Sequence, residues 1–251
     1  MFYIFDGTQT GFLTAFVRAF HDENAVLSSK KAQLAIGVEP VFVNADPLLA
    51  QKAGERLITF DRTALYDLNT LLRSGMENNE QIAFRYFHLL ATEKRPISKR
   101  LADPDVFAAV ECMRKVGWEI HKLHGFVRFM ETASGALYAP ISPDNDICDL
   151  LVPHFRARLP QFSFVLHDVP RAKAAVYDGK NTFVAPLPQA DVLLSANEYG
   201  WQSLWQNYYH AVNIPSRQRL KQMKGYMPVR YWKHLPEKRE KPRGFDENLE
   251  K

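Results

Sequence analysis

His121 and His124 stand three residues apart in the run HKLHGF. On a helix, that spacing puts two imidazoles on one face, where they could share a metal ion. Neither an HExxH motif nor a convergent carboxylate accompanies them, and Glu119 is poorly placed as a third ligand. The plainer alternative puts one His near a helix end, where its protonated form suits the helix dipole, and packs the other beneath a hairpin. Arg128 follows on an alternating stretch and could bind an anion with the two histidines or join a cross-strand ion pair. His121, His124 and Arg128 are therefore the candidate catalytic residues.

Other polar groups say less. Asp144, Asn145 and Asp146 resemble a fragment of a calcium loop but lack its Gly and terminal Glu, so capping of the next helix accounts for them better. Asp6-Gly7-Thr8 suits either an anion nest or a turn with a helix cap. His154 and His167 qualify as general bases by residue type alone. The chain has no nucleophile elbow, Walker A loop, GxGxxG fingerprint or zinc-deaminase signature.

The C-terminal segment holds the strongest signal. Residues 214–243 carry ten Lys or Arg against Glu237 and Glu240, a net charge of +8 within a chain whose total is +4. Arg217, Lys221 and Lys224 fall at i, i+4 and i+7, on one face of a helix starting at Pro215-Ser216, with Leu220 and Met223 facing inward. Beyond Gly225, Tyr226, Tyr231 and Trp232 alternate with Arg230 and Lys233. Cations neutralise phosphates and release counterions, while aromatic planes stack on unpaired bases. The nucleic-acid-binding candidates are Arg217, Lys221, Lys224, Arg230, Tyr231, Trp232 and Lys233. In the competing reading, Tyr231 and Trp232 pin the segment to the domain and the lysines form a solvated face.

The elements that must carry these residues follow from period and punctuation. FYIF ends at Asp6-Gly7 as a short strand, and Thr8 caps a helix with Phe12, Ala15, Phe16 and Ala19 on its buried stripe. A second short strand fits 41–43, and helices fit 47–57, 62–74 and 77–93. Asp103-Pro104 is a helix start of the Asp-cap, Pro-first-turn kind. After Gly125 the period changes: FVRFMET and ALYAPIS read as a hairpin about Ser134-Gly135. A helix over 144–159 follows, with Pro153 as a point of kinking, then FSFVLHD, KAAVYDG and TFVAPL as strands and a helix over 197–213. This order predicts an α+β fold: an antiparallel sheet of about five strands flanked by helices, preceded by a mainly helical N-terminal region. The boundaries are 1–103 for that region, 104–213 for the α+β domain and 214–251 for the basic aromatic segment.

Composition bounds the class. The 251 residues are 46% hydrophobic and 24% charged, which is ordinary for a globular protein. No apolar run nears the ~18 residues that cross a membrane, and MFYIFDGTQTGF lacks a signal-peptide layout, so a cytoplasmic location is expected. Cys112 and Cys148 make no CxxC pair, so neither a disulfide framework nor a Cys-based zinc site is indicated.

Several runs together carry a family likeness. HKLHGFVRFMET with LYAPISPDNDI, then LLVPHFRARLP, LHDVPRAKAAVYDG and MPVRYWKHLPE, resemble one bacterial family of DNA metabolism proteins of unassigned function. The opening FDGTQTGFLTAF resembles its N-terminus, so the likeness covers nearly the whole chain. It implies a context: members are encoded beside a DNA-repair radical SAM protein, and a related domain is fused to uracil-DNA-glycosylase-like domains. No catalytic residue is established there. Arg217, Met227, Pro228, Arg230, Tyr231 and Trp232 match its C-terminal motif, and His121, Gly125, Phe126, Arg128 and Phe129 its central one. Two distant cysteines cannot supply the CxxxCxxC of a radical SAM enzyme or the ligands of an iron–sulfur glycosylase.

The expectation is thus a DNA-binding accessory protein in DNA repair or modification, without a cofactor of its own, acting with a radical SAM partner and away from membranes. An enzyme acting on a nucleobase or nucleotide through His121, His124 and Arg128 is the alternative. A protein-interaction module is the third.

Overall fold

The computed structural model describes residues 1–29, 39–217 and 219–238. Arg239, Lys241 and Arg243, three of the ten cations of the basic segment, lie outside the described residues, as does Glu240. The chain divides into two compact units, one of Met1–Trp118 with Asp144–Asp146, the other of Glu119–Pro143 and Ile147 onward.

The first unit has a small parallel sheet, in which β1 (Phe2–Ile4) lies between β2 (Val26–Ser28) and β3 (Pro40–Phe42). β2 has only three residues, too few for a period, and was not foreseen. Asp6-Gly7-Thr8 is a turn with a cap. Asp6 Oδ1 accepts from Thr8 N at 2.9 Å, and Thr8 Oγ1 accepts from Gly11 N at 2.9 Å, starting α1 (Gln9–Ala19). The predicted stripe of Phe12, Ala15, Phe16 and Ala19 is fully buried or nearly so. α2 (Pro47–Phe60), α3 (Ala64–Leu72) and α4 (Asn79–Glu93) follow, and Phe84, Tyr86, Phe87 and Leu90 of α4 enter one core with α1. α5 (Pro104–Phe126) starts where Asp103 Oδ1 accepts from Asp105 N at 3.0 Å.

One glycine here is fixed by crowding. Gly75 N donates to Asn145 Oδ1 at 3.0 Å, and a Cβ on Gly75 would meet the backbone oxygen of Asp144 at 2.2 Å. Backbone cannot swing aside as a side chain can. Gly75→Ala should therefore lower unfolding stability by about 1–3 kcal/mol, measurable as a shift of the urea midpoint at unchanged slope.

The second unit holds a five-stranded sheet of order β4-β5-β6-β7-β8. The strands are β4 (Met130–Glu131), β5 (Leu137–Ile141), β6 (Phe164–Asp168), β7 (Lys173–Tyr177) and β8 (Thr182–Pro186). Strand number and element order agree with the sequence reading, but the sheet is mixed. β5 and β6 run parallel, with Leu137 opposite Phe164 and Ile141 opposite Asp168, while the other pairs are antiparallel. The connection explains this. A parallel pair needs a long crossover, and the segment between β5 and β6 supplies one carrying a 3-10 turn (Asp149–Leu151) and α6 (Val152–Arg158).

The helix expected over 144–159 thus starts later than Asp144. Pro153 sits in its first turn, where a missing N–H costs nothing, instead of kinking it. Asn145 is bonded to Gly75, and Asp146 N donates to Arg73 O at 2.8 Å. Phe129, Phe155 and Phe164 pack edge to face in the core of the unit, with centroids 5.0 and 5.5 Å apart. His167 is built into the sheet. Its Nε2 donates to Leu187 O at 2.9 Å, and its Nδ1 lies 2.6 Å from the Tyr138 hydroxyl, so both ring nitrogens have partners within the protein.

Candidate nucleic-acid interface

The basic segment follows α7 (Glu198–Ala211) as a 3-10 turn (Pro215–Arg217), α8 (Leu220–Tyr226), α9 (Val229–Trp232) and a final 3-10 turn (Pro236–Lys238). Arg217 precedes α8 instead of lying on it, so the predicted single face of Arg217, Lys221 and Lys224 is broken; only the two lysines share a helix. Leu220, expected to face inward, is exposed. With only seven residues, α8 turns only Met223, partly buried, toward the unit.

Two buried carboxylates dock this segment. Glu119, near the end of α5, accepts from Arg230 Nη2 and from the Tyr231 hydroxyl, each at 2.6 Å. Tyr231 is only 2% exposed, its ring 6.2 Å from that of Phe126 and 4.7 Å below the Arg230 guanidinium. Burial first, then the bond to Glu119, pushes its phenol far above the usual range, so it stays a neutral donor. Tyr231 is thus a pin and cannot stack on a base. The second carboxylate belongs to the segment itself. The Glu237 side chain, 1% exposed, accepts from Arg128 Nη2 at 2.8 Å and from Trp205 Nε1 at 2.9 Å. Between the two, His234 Nε2 lies 2.9 Å from Ser142 Oγ. Trp232 is half-buried, donating through Nε1 to Met227 O at 3.2 Å.

The cations sort accordingly. Arg230 holds a buried carboxylate, and Lys238 Nζ sits 2.6 Å from the Tyr209 hydroxyl and 3.3 Å from Met223 Sδ. Arg217, Arg219, Lys221, Lys224 and Lys233 are exposed. Between Glu198 and Glu237 the chain has no acidic residue, so these five have no acidic neighbour within that stretch of sequence.

The catalytic candidates differ in their surroundings. His121 is exposed. Arg128 is held by Glu237, Gly125 O and Val127 O, so its ion pair reaches the C-terminal segment and not a neighbouring strand. His124 stacks on His154 of α6 with centroids 4.0 Å apart and planes 11° from parallel.

A model of one protein family matches residues 77–237, more than half of the chain. The chain belongs to the DUF4130 family, a domain of unknown function. No curated protein and no solved structure matches it. The DUF4130 match ends at Glu237, so the docked part of the basic segment lies within the family domain and is no appendage to it. Sequence reasoning missed Glu119, Ser142 and Glu237 as anchors. The only trace of them in the sequence is that Glu237 interrupts a run of cations. No helix among the described residues of this DUF4130 chain is long and apolar enough to cross a membrane.

The stacked histidines set a pH dependence. Burial first, then the proximity of His154 and His121, holds His124 below the ordinary imidazole value, and the Nε2 atoms of both stacked rings are buried without a hydrogen bond. An unfolded chain takes up this proton near pH ~6.5, whereas the folded one resists. Stability is therefore flat above that pH and falls as pH drops below it, down to the depressed folded value. Urea midpoints measured from about pH 8 to about pH 5 should show this fall. His124→Phe, which keeps a ring on His154, should make it shallower.

Proposed function

We propose that this protein is a DNA-binding accessory protein in DNA repair or modification. Arg217, Arg219, Lys221, Lys224 and Lys233 hold the phosphate backbone. The single observation that carries this reading is the division of labour in the basic segment. Its aromatic and carboxylate groups dock it to the unit, while five cations stay in solvent over a stretch free of acids. Docking removes most of the ordering entropy that a loose tail would lose on binding. A radical SAM companion rests on the sequence resemblance alone.

The test is a titration against duplex and single-stranded DNA at several salt concentrations. Five phosphate contacts give a log–log salt slope of about −4 to −5 on duplex DNA. A slope near zero, or no binding at low salt, would sink the proposal.

A further inference from the structure

Only Glu198 is buried along the fourteen residues of α7. Its inward side carries Gln202 on Glu198 Oε1 and Gln206 on Pro236 O, at 2.9 and 2.7 Å. Its other side carries Trp201, Leu204, Trp205, Tyr208 and, one step past its end, Val212, spaced 3, 4, 7 and 11 residues from the first and so forming one stripe. Trp201 is 61% and Tyr208 57% exposed. Trp205 is the fixed member, its indole nitrogen on Glu237 and its ring 5.3 Å from the Arg128 guanidinium; the Tyr208 ring leans on it with centroids 5.7 Å apart. The stripe is therefore anchored at its centre and open at both ends.

We infer that this stripe is a stacking platform for unpaired bases, so that the nucleic acid held by the basic segment is single-stranded. The inference rests on the DNA-binding reading and gives it a strand preference. Lys238 Nζ touches Tyr209 of α7 and Met223 of α8, which makes the two helices neighbours, one bearing the ring stripe and the other exposed cations. That pairing suits a polyanion with planar groups. A duplex hides its base faces in its own stack, whereas an unpaired strand offers them to Trp and Tyr at any sequence. A second copy of this chain fits poorly, because face-to-face docking would bring two positively charged segments together. A membrane-surface helix carries Lys and Arg along its own polar face, and α7 has neither.

The experiment is an anisotropy titration of the full chain with an oligothymidylate and with a duplex of equal length. Trp201→Ala with Tyr208→Ala should weaken oligothymidylate binding about fivefold or more per ring and leave the duplex affinity unchanged. Trp201→Phe with Tyr208→Phe keeps a stacking plane and should retain most of the affinity. Circular dichroism of each variant establishes that it is folded. Unchanged oligothymidylate binding in the alanine variant, beside a normal salt slope, overturns this inference and leaves the DNA-binding reading standing. So does an equal loss on both DNA forms, or a dimer abolished by the alanine variant. Failure to bind either DNA overturns both, as does capture by anionic vesicles in place of DNA.

Discussion

Replacing Glu237 with alanine should destabilise the second unit by about 3–5 kcal/mol, the usual cost of removing one partner from a buried ion pair. The reason is what would remain. Arg128, with 24% of its side chain exposed, would keep its charge without a counterion, and the Trp205 indole would lose its acceptor. Desolvated donors left unpaired are penalised more than the pair itself stabilises. Denaturant midpoints measure the total. Limited proteolysis within 226–238 tests whether the segment has come away from α7. Glu237→Gln keeps an acceptor without the charge and should fall between the two. A Glu237→Ala variant that unfolded like the parent protein would show that Glu237 does not dock the segment.

Changing Arg217, Lys221, Lys224 and Lys233 together to alanine should have the largest effect on binding. Each cation that neutralises a duplex phosphate contributes about −0.9 to the salt slope, so the variant should lose about 3 to 4 of the 4 to 5. For the parent protein, a fourfold rise in salt should lower affinity by roughly 10²- to 10³-fold, and the variant should barely respond. Because these side chains are exposed, the variant should fold normally. Arg230→Ala gives the contrast. It removes one of the partners of buried Glu119, a stability effect, and should leave the salt slope nearly unchanged, although a simple charge count would rank it with the others.

Local signals were legible in the sequence because they act over three or four residues. Thr8 and Asp103 cap the helices they were expected to cap, and the hydrophobic stripe of α1 is buried. The order of elements from residue 104 was readable for the same reason. What failed was pairing across distance. Nothing in ALYAPIS or FSFVLHD states that they run parallel; the crossover between them decides it. Nor does any local pattern join Arg128 to Glu237, 109 residues on, or Arg230 to Glu119. Tyr231 and Arg230 therefore looked like surface groups in a basic run, and His124 looked like a partner of His121 when its ring partner is His154. Within the basic segment, Arg230 and Tyr231 dock while Lys221, Lys224 and Lys233 are exposed, a division that no local pattern encodes.

The span of the Glu119–Arg230 contact has a kinetic consequence. It closes a loop of 111 residues, whereas β6, β7 and β8 form consecutive hairpins whose partners are close in sequence. Loop closure over so long a span must await prior collapse, so the hairpins assemble first and the basic segment docks onto a sheet already made. Until then its cations and rings are unsorted. The division of this segment into exposed cations and groups docked on buried carboxylates is therefore a late product of folding.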